Sequence, residues 1–270
     1  MTIVDKELTT IAFCWRIERR DGVTLGFTSH DRDLDVEGLR YRSAPGILPS
    51  AIGLTAGFEL DRLDVAGALT SDAITADDLA AGRWDGARLS IFMVDWENVA
   101  AGRIAVARGE LGDVVVRSSA FEAELCGATA ALERPVVEQT SPECRAQLGD
   151  KRCRVDMAGR VRLTRIVAMV GESRLEVESA AGADAYRYGR LRWIDGPNGG
   201  LSQGIAGCDG AMLTLRDPPH FPAAMGDLVE ISEGCDKSFT TCHGRFANAD
   251  NFRGEPHLPG VDLLTRYAGA

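Results

Sequence analysis

The sequence predicts a mainly β protein of β-barrel or sandwich type. Short apolar or alternating runs recur along the 270 residues, and glycine-containing turns interrupt them at the intervals seen in sandwiches and barrels. Residues 11–17 lead through Arg20-Asp21-Gly22 into residues 23–27, which is the pattern of a β-hairpin. Helical patterns are scarce, so strands carry the fold.

The first half continues with strands at residues 87–96, 103–107 and 113–116. One short helix is predicted at residues 75–81. Thr75 is a suitable N-cap there, acidic residues occupy the first turn, and Gly82 follows the end. This helix is connective rather than part of a helical layer.

The second half repeats the β pattern. Asp209-Gly210 marks a hairpin. Glu133-Arg134-Pro135 interrupts the strand pattern, which predicts a boundary between two β-rich domains, 1–140 and 141–270. Strands are predicted at residues 162–170, 173–178, 186–194, 201–206, 211–215 and 226–231.

Composition limits the functional classes. The net charge of -10, without a basic stripe, argues against a protein that grips nucleic acid. The N-terminal residues lack a signal-peptide pattern, and no apolar run is long enough to span a bilayer, so the chain is expected to fold in the cytoplasm without membrane insertion. Phosphate-loop, nucleophile-elbow and dinucleotide motifs are also missing, so no enzymatic activity is predicted.

Four of the seven cysteines form two spaced pairs. Ser141-Pro142 and Gly149 predict a short helix with Cys144 in its first turn, and Cys153 follows in the next loop. Cys235 and Cys242 would share one face if their segment is helical. The remaining three have ordinary explanations, with Cys14 and Cys126 as buried small hydrophobes and Cys208 as a partly exposed thiol in a hairpin turn.

Four thiolates can bind one zinc ion or a four-iron cluster. Eight residues separate Cys144 from Cys153, and six separate Cys235 from Cys242, whereas structural zinc pairs are usually two to four residues apart. The longer spacings favour a cluster, but the spacing alone leaves zinc, and four unrelated cysteines, open.

These cysteines also resemble a known pattern, that of the lambda-type phage tail-tip protein with an iron-sulfur cluster. The surrounding segments, residues 141–153 and 234–260, are similar to the tail-tip hub proteins of gene transfer agents and related long-tailed prophages. The N-terminal half is similar to the same family at Trp15-Arg16-Ile17, Arg20-Asp21-Gly22, His30 to Leu34 and Gly67-Ala68-Leu69.

The resemblance implies a structural virion protein with tail-tube-like domains and a loop-rich C-terminal iron-sulfur domain. It implies a homotrimer at the virion tail tip, between a distal tail or tube protein and tip proteins of the megatron or fibre type, with DNA present only in transit. It also implies a [4Fe-4S] cluster on the four matching cysteines, Cys144, Cys153, Cys235 and Cys242, for which zinc is the alternative.

The rival functional class is a soluble iron-sulfur or zinc-binding cytoplasmic protein with a redox or sensing role. The irregular segment from Asn248 to Gly260 is expected to cover the cysteines as a lid, with Phe252 as a shield and Asn248 or Asn251 bonded to backbone or sulfur atoms. The alternative for that segment is an exposed linker that docks a neighbouring tail protein.

Overall fold

The computed structural model describes residues 10–43, 48–49, 62–68, 74–117, 120–127, 137–178, 182 and 184–258. The chain forms two compact units, Met1–Val136 and Val137–Ala270. The described residues are mainly β, which confirms the predicted fold class. None of their helices has the length and apolar character needed to cross a bilayer.

The described residues of the first unit form a sheet of nine strands in the order β3-β4-β2-β1-β7-β8-β9-β6-β5. A short helix, α1, spans Ala76–Ala80, and a 3-10 turn spans Val99–Ala101. The strands are β1 (Ile11–Glu18), β2 (Thr24–Thr28), β3 (Leu34–Val36), β4 (Leu39–Ser43), β5 (Leu48–Pro49), β6 (Arg62–Ala68), β7 (Arg88–Asp95), β8 (Arg103–Arg117) and β9 (Ala120–Cys126).

Strand β1 lies at the centre of this sheet and contributes to a core on each face. Trp15 and Ile17 join the cluster that includes Leu79 of α1. Cys14, on the opposite face, joins a second cluster around Tyr41. Successive strand residues point to opposite faces, so the alternating pattern of the sequence supplies both clusters.

The hairpin and the helix predicted in the first unit are confirmed, and two of its predicted strands form one. The predicted hairpin is the antiparallel pair β1 and β2. Thr75 caps α1 by accepting a hydrogen bond from the Asp78 N–H at 3.1 Å, and Gly82 follows with a φ of 72°. The segments predicted as two strands at 103–107 and 113–116 are instead one strand, β8, whose register shifts between Leu111 and Val114.

The second unit contains a closed barrel of six strands in the order β10-β11-β14-β13-β12-β15. Its interior is filled by apolar side chains that include Leu191, Trp193 and Ile231. The strands are β10 (Val161–Met169), β11 (Arg174–Val177), β12 (Arg190–Trp193), β13 (Ser202–Asp209), β14 (Met212–Leu215) and β15 (Leu228–Ser232), and the helix α2 spans Phe239–Gly244.

The strand predicted at residues 186–194 begins later in the structure than the sequence indicates. Tyr188 has a φ of 63°, and residues 184–188 form a turn, so β12 begins only at Arg190. The next residue, Gly189, packs against the backbone of β15, and an added Cβ would lie 2.0 Å from the Ser232 carbonyl oxygen. The turn and this close approach end the extended pattern before the barrel strand begins.

The barrel closes by antiparallel pairing of its first and last strands. Val161 at the start of β10 is paired with Ser232 at the end of β15. The Glu233 N–H extends this ladder by donating to the Arg160 carbonyl at 2.9 Å, and an ion pair of 2.8 Å joins the two side chains. The segments before β10 and after β15 therefore leave the barrel at the same end.

Candidate metal centre

The four paired cysteines lie on those two segments. Cys144 and Cys153 precede β10, and Cys235 and Cys242 follow β15. Cys153 and Cys242 are buried, with 9% and 6% of their surface exposed, and the other two are half-buried. The closure of the barrel explains why pairs so distant in sequence come to the same end of the unit.

Lys237 connects the first cysteine of each pair. The Cys144 N–H donates to the Lys237 carbonyl at 2.9 Å, and the Lys237 N–H donates to the Cys235 sulfur at 3.4 Å. The Lys237 ammonium donates to the Ala146 carbonyl and, at 3.2 Å, to the Gln147 side chain. Lys237 has a φ of 66°, a left-handed conformation that turns the chain sharply between these contacts.

Asn248 connects the second cysteine of each pair. Its side-chain amide donates to the Cys153 carbonyl at 2.6 Å and lies 3.7 Å from the Cys153 sulfur. Its backbone N–H donates to the Cys242 carbonyl at 3.0 Å, and its own carbonyl accepts from the Cys242 thiol at 3.3 Å. The expectation that Asn248 bonds backbone and sulfur atoms of this region agrees with these contacts.

The thiols are close enough to influence one another electrostatically. Burial raises the pKa of the Cys242 thiol, and the other three, Cys144, Cys235 and Cys153, add to the rise in that order. Burial also raises the pKa of Cys235, against the opposing effect of the Lys237 backbone N–H. Burial and the neighbouring thiols therefore favour the neutral forms of Cys235 and Cys242 when no metal is present.

The donors around the sulfurs suit thiolate ligands. Besides the Lys237 N–H, the Arg253 N–H donates to the Cys144 sulfur at 3.4 Å. Such N–H···S contacts stabilise charged sulfur and adjust the potential of bound iron. Among the described residues, however, no three His, Cys, Asp or Glu side chains converge closely enough to hold a single metal ion.

The predicted helix around Cys144 is wrong. Residues 141–149 form bends and a turn, because their backbone donors have partners elsewhere in the unit. The Ser141 hydroxyl accepts from the Glu143 N–H at 3.2 Å in a local turn, and the Arg145 N–H donates to the Arg253 carbonyl at 3.0 Å. The local bond and the tertiary bond replace the backbone hydrogen bonds that a helix would form.

The second pair is only half helical. Ser238 caps α2 through the Thr241 N–H at 3.1 Å, so the helix contains Cys242 but begins after Cys235. Arg245, which follows the helix, donates to the Gly234 carbonyl at 3.0 Å and forms a 2.7 Å ion pair with Glu233. These contacts fix α2 against the end of the barrel.

Glu255 holds the C-terminal segment against the first cysteine loop. Its carboxylate accepts two hydrogen bonds from the Arg145 guanidinium, at 2.7 and 2.9 Å, and one from the Ser141 N–H at 2.8 Å. The Glu255 N–H in turn donates to the Ser141 carbonyl at 2.8 Å. Sequence reasoning missed this clamp, because neither residue carries a motif and 110 positions separate Arg145 from Glu255.

The clamp predicts a specific pH dependence of stability. The hydrogen bonds from Arg145, followed by that from Ser141, lower the pKa of Glu255 to about 2, below the value of about 4.3 for an unfolded chain. Its contribution to stability is therefore present above about pH 4.3 and is lost as the pH falls toward 2. In thermal unfolding, Glu255→Gln should lower the melting temperature most at pH 6 to 7, and the difference from wild type should shrink below pH 4. Glu172→Gln, which changes an exposed turn carboxylate, should show no such trend.

Phe252 and Asn251 occupy the segment expected to form a lid. The Phe252 ring packs edge-on against Phe239 of α2, with centroids 5.1 Å apart. The Asn251 amide donates to the Asn248 side-chain oxygen at 2.7 Å and so holds the Asn248 amide toward Cys153. Residues 259 and 260 of the expected lid lie outside the described residues, and shielding of the cysteines by Phe252 stays a prediction.

The contacts described for the other three cysteines do not involve the four paired cysteines. Cys14 is fully buried in the first unit, and burial raises its pKa to about 11. Cys126 is only partly buried at the end of β9, which corrects the expectation of a buried residue. Cys208 is a partly exposed thiol, as expected, but it lies in strand β13 opposite Leu213 and not in the hairpin turn; its sulfur is 3.5 Å from the Gly210 carbonyl.

Similarity to known proteins covers both units. Residues 2–156 match the family "Baseplate hub protein, N-terminal attachment domain", and residues 184–262 match "Phage conserved hypothetical protein BR0599". A chain in the solved structure "Virion of native gene transfer agent (GTA) particle" is 36% identical, with a TM-score of 0.84 over 99% of this chain and 94% of that one. No curated protein sequence matches this chain.

Proposed function

This chain belongs to the phage baseplate hub family, and from that premise we propose that it is a tail-tip hub subunit joining the tail tube to the baseplate or tip proteins. The observation that carries the proposal is the 36% identity to a chain of a gene transfer agent virion over 99% of this chain. The chain is therefore a structural protein of a phage tail or phage-like particle. Its position at the tail tip and its lack of catalytic activity are part of the proposal.

The subunit is proposed to work as a homotrimer. A ring of three chains, each with two β units, could present six docking surfaces to a hexameric tube. The proposed neighbours are a distal tail or tube protein on one side and tip proteins of the megatron or fibre type on the other. The particle would receive the subunit after its synthesis in the bacterial cytoplasm.

The ring is proposed to surround the channel through which DNA leaves the particle. A net charge of -10 suits such a wall, since acidic residues repel phosphates and let the duplex slide instead of binding it. DNA is therefore a passing occupant and not a ligand of this chain.

Cys144, Cys153, Cys235 and Cys242 are proposed to hold a [4Fe-4S] cluster, with zinc as the alternative. Thiols are the right type of ligand for either group, and these four lie on adjacent segments, affect one another electrostatically and receive N–H donors at Cys144 and Cys235. No three of them converge on a single ion in the described part of the structure, so binding would require the two segments to approach more closely. To hold the group, each thiol would release its proton to solvent, and Cys242 would act as a ligand in place of donating to the Asn248 carbonyl. The bound group would cross-link the two segments that leave the barrel.

Cryo-electron microscopy of intact particles tests the structural role. We expect density for this chain at the tail tip, in three copies around the tail axis. Six copies, or density elsewhere in the particle, would contradict the proposal. Particles made without this gene product should lack tip proteins beyond it, while preassembled heads and tubes remain.

A further inference from the structure

A small cavity lies on the sheet of the first unit, on the face that carries Arg16. The register pairs Arg16 of β1 with Ser90 of β7, and Ser90 with Arg108 of β8, so the three side chains share one face. The neighbouring row on that face, which contains Cys14 and Phe92, is covered by the core cluster around Tyr41. Where this cover ends, the face opens into a cavity of about 150 Å³.

The floor of the cavity is apolar, and its rim is cationic. Phe92, Ala105 and Ala107 line it together with the three arginines Arg16, Arg103 and Arg108. The Arg103 guanidinium stands over the Phe92 ring, 5.1 Å from its centroid. Arg16 and Arg103 both act to lower the pKa of Tyr41, which burial raises to about 12, so both cations lie near the same phenol.

This rim has hydrogen-bond donors that its own residues do not satisfy. Arg16 pairs with Glu18 at 2.6 Å, yet the Nε of Arg16 is buried and has no acceptor. Arg103 is paired with Glu37 at 2.9 Å, whereas Arg108 makes no ion pair or side-chain hydrogen bond within the described part of the chain. A buried donor without an acceptor is uncommon in folded proteins, but this Nε is not accessible to a ligand. Among the described residues, Arg108 therefore supplies the accessible, unpaired donors of the rim.

We propose that this cavity binds the carboxylate of an Asp or Glu side chain presented by a neighbouring protein of the particle. The exposed Arg108 guanidinium binds the carboxylate oxygens beside Arg16, and Ala105 packs against the methylene groups. Guanidinium groups suit a planar carboxylate because they offer donors in a fixed fork. The inference rests on the proposed function only for the source of that side chain.

Other occupants fit less well. The cavity is smaller than the roughly 300–1,000 Å³ typical of small-molecule sites, so one side chain fills it better than a cofactor. Glu18 also lines the cavity and repels a phosphate dianion more strongly than a carboxylate with a single charge, and a chain of net charge -10 repels polyanions overall. A single negative charge on a short side chain matches both the volume and the charge.

Binding of a blocked pentapeptide with one central glutamate to the purified full-length protein tests the proposal. We expect saturable shifts of the Arg16 and Arg108 Nε–H resonances, about ten-fold weaker binding of the matched glutamine peptide, and weakening by salt. Arg108→Gln should reduce the affinity for the glutamate peptide about ten-fold. Arg88→Gln should leave it unchanged, since Arg88 is on the same face but lines a different depression. Arg108 is exposed, so an unchanged melting temperature shows that the variant is folded.

Three results would overturn the assignment. Equal binding of the glutamine peptide would show that the cavity does not recognise the carboxylate. Tighter binding of inorganic phosphate would show that the cavity is a general anion site. Self-association that Arg108→Gln abolishes assigns the cavity to a second copy of this chain. Peptide binding by a chain that microscopy places outside the tail tip refutes the proposed function alone, whereas a correct location without peptide binding refutes the cavity alone.

Discussion

Serine in place of any one of Cys144, Cys153, Cys235 and Cys242 is expected to abolish the iron and acid-labile sulfide of the anaerobically purified protein and to lower its soluble yield. Each thiolate would ligate a different iron, so one missing sulfur opens the cluster. Serine at Cys208 is the matched control. That thiol is partly exposed near the end of β13 in the same unit, and its loss should change neither metal content nor yield.

The loss of yield follows from the positions of the cysteines on the two segments that precede and follow the barrel strands. A cross-link between Cys153 and Cys235 closes a loop of 81 residues, which lowers the entropy of the unfolded chain. Treated like a disulfide of that loop length, the closure is worth on the order of 4 kcal/mol. This is a large part of the stability of an ordinary domain, so the variants should also melt at clearly lower temperatures.

Three assays separate the possible outcomes. Iron with acid-labile sulfide in the wild type supports the cluster, and zinc without either shows that the four thiolates hold a zinc ion instead. Wild-type metal content in all four serine variants would show that these cysteines are not ligands. Loss of metal from the Cys208 variant would mean that the effect of serine is not specific to the site.

Local signals made much of the fold predictable. Asp209-Gly210 marks the turn between β13 and β14, where Gly210 has a φ of 58° that favours glycine. Thr75 and Gly82 delimit α1 because capping depends on residues within one turn of each other. These devices act over a few residues, so they are visible in a single sequence.

The arrangement of the cysteine region depends on long-range partners that local signals do not carry. Ser141 and Pro142 resemble the start of a helix, but the Cys144 and Arg145 N–H groups donate to the Lys237 and Arg253 carbonyls. Those partners are available only because β10 pairs with β15 and brings the two segments together. The four cysteines could be grouped from their paired spacing and their resemblance to a family, whereas the clamp and the connecting residues could not.

Asn248→Asp is expected to weaken retention of the bound metal group by about 10- to 100-fold, the usual effect of losing a residue that orients metal ligands. The change keeps the shape of the side chain but removes the amide that donates to the Cys153 carbonyl at 2.6 Å. It also places a negative charge near the Cys153 sulfur, where it opposes a thiolate.

The measurement is the rate of iron release to a chelator from protein whose folding is verified by circular dichroism. Asn248→Ala removes the donor without adding charge, so it should release iron faster than wild type and more slowly than Asn248→Asp. Asn98→Asp makes the same chemical change in the other unit, where the Asn98 side chain caps no helical turn, and should behave as wild type. If Asn248→Asp released iron at the wild-type rate, Asn248 would only join the two loops, and retention would depend on the sulfur ligands and their backbone donors.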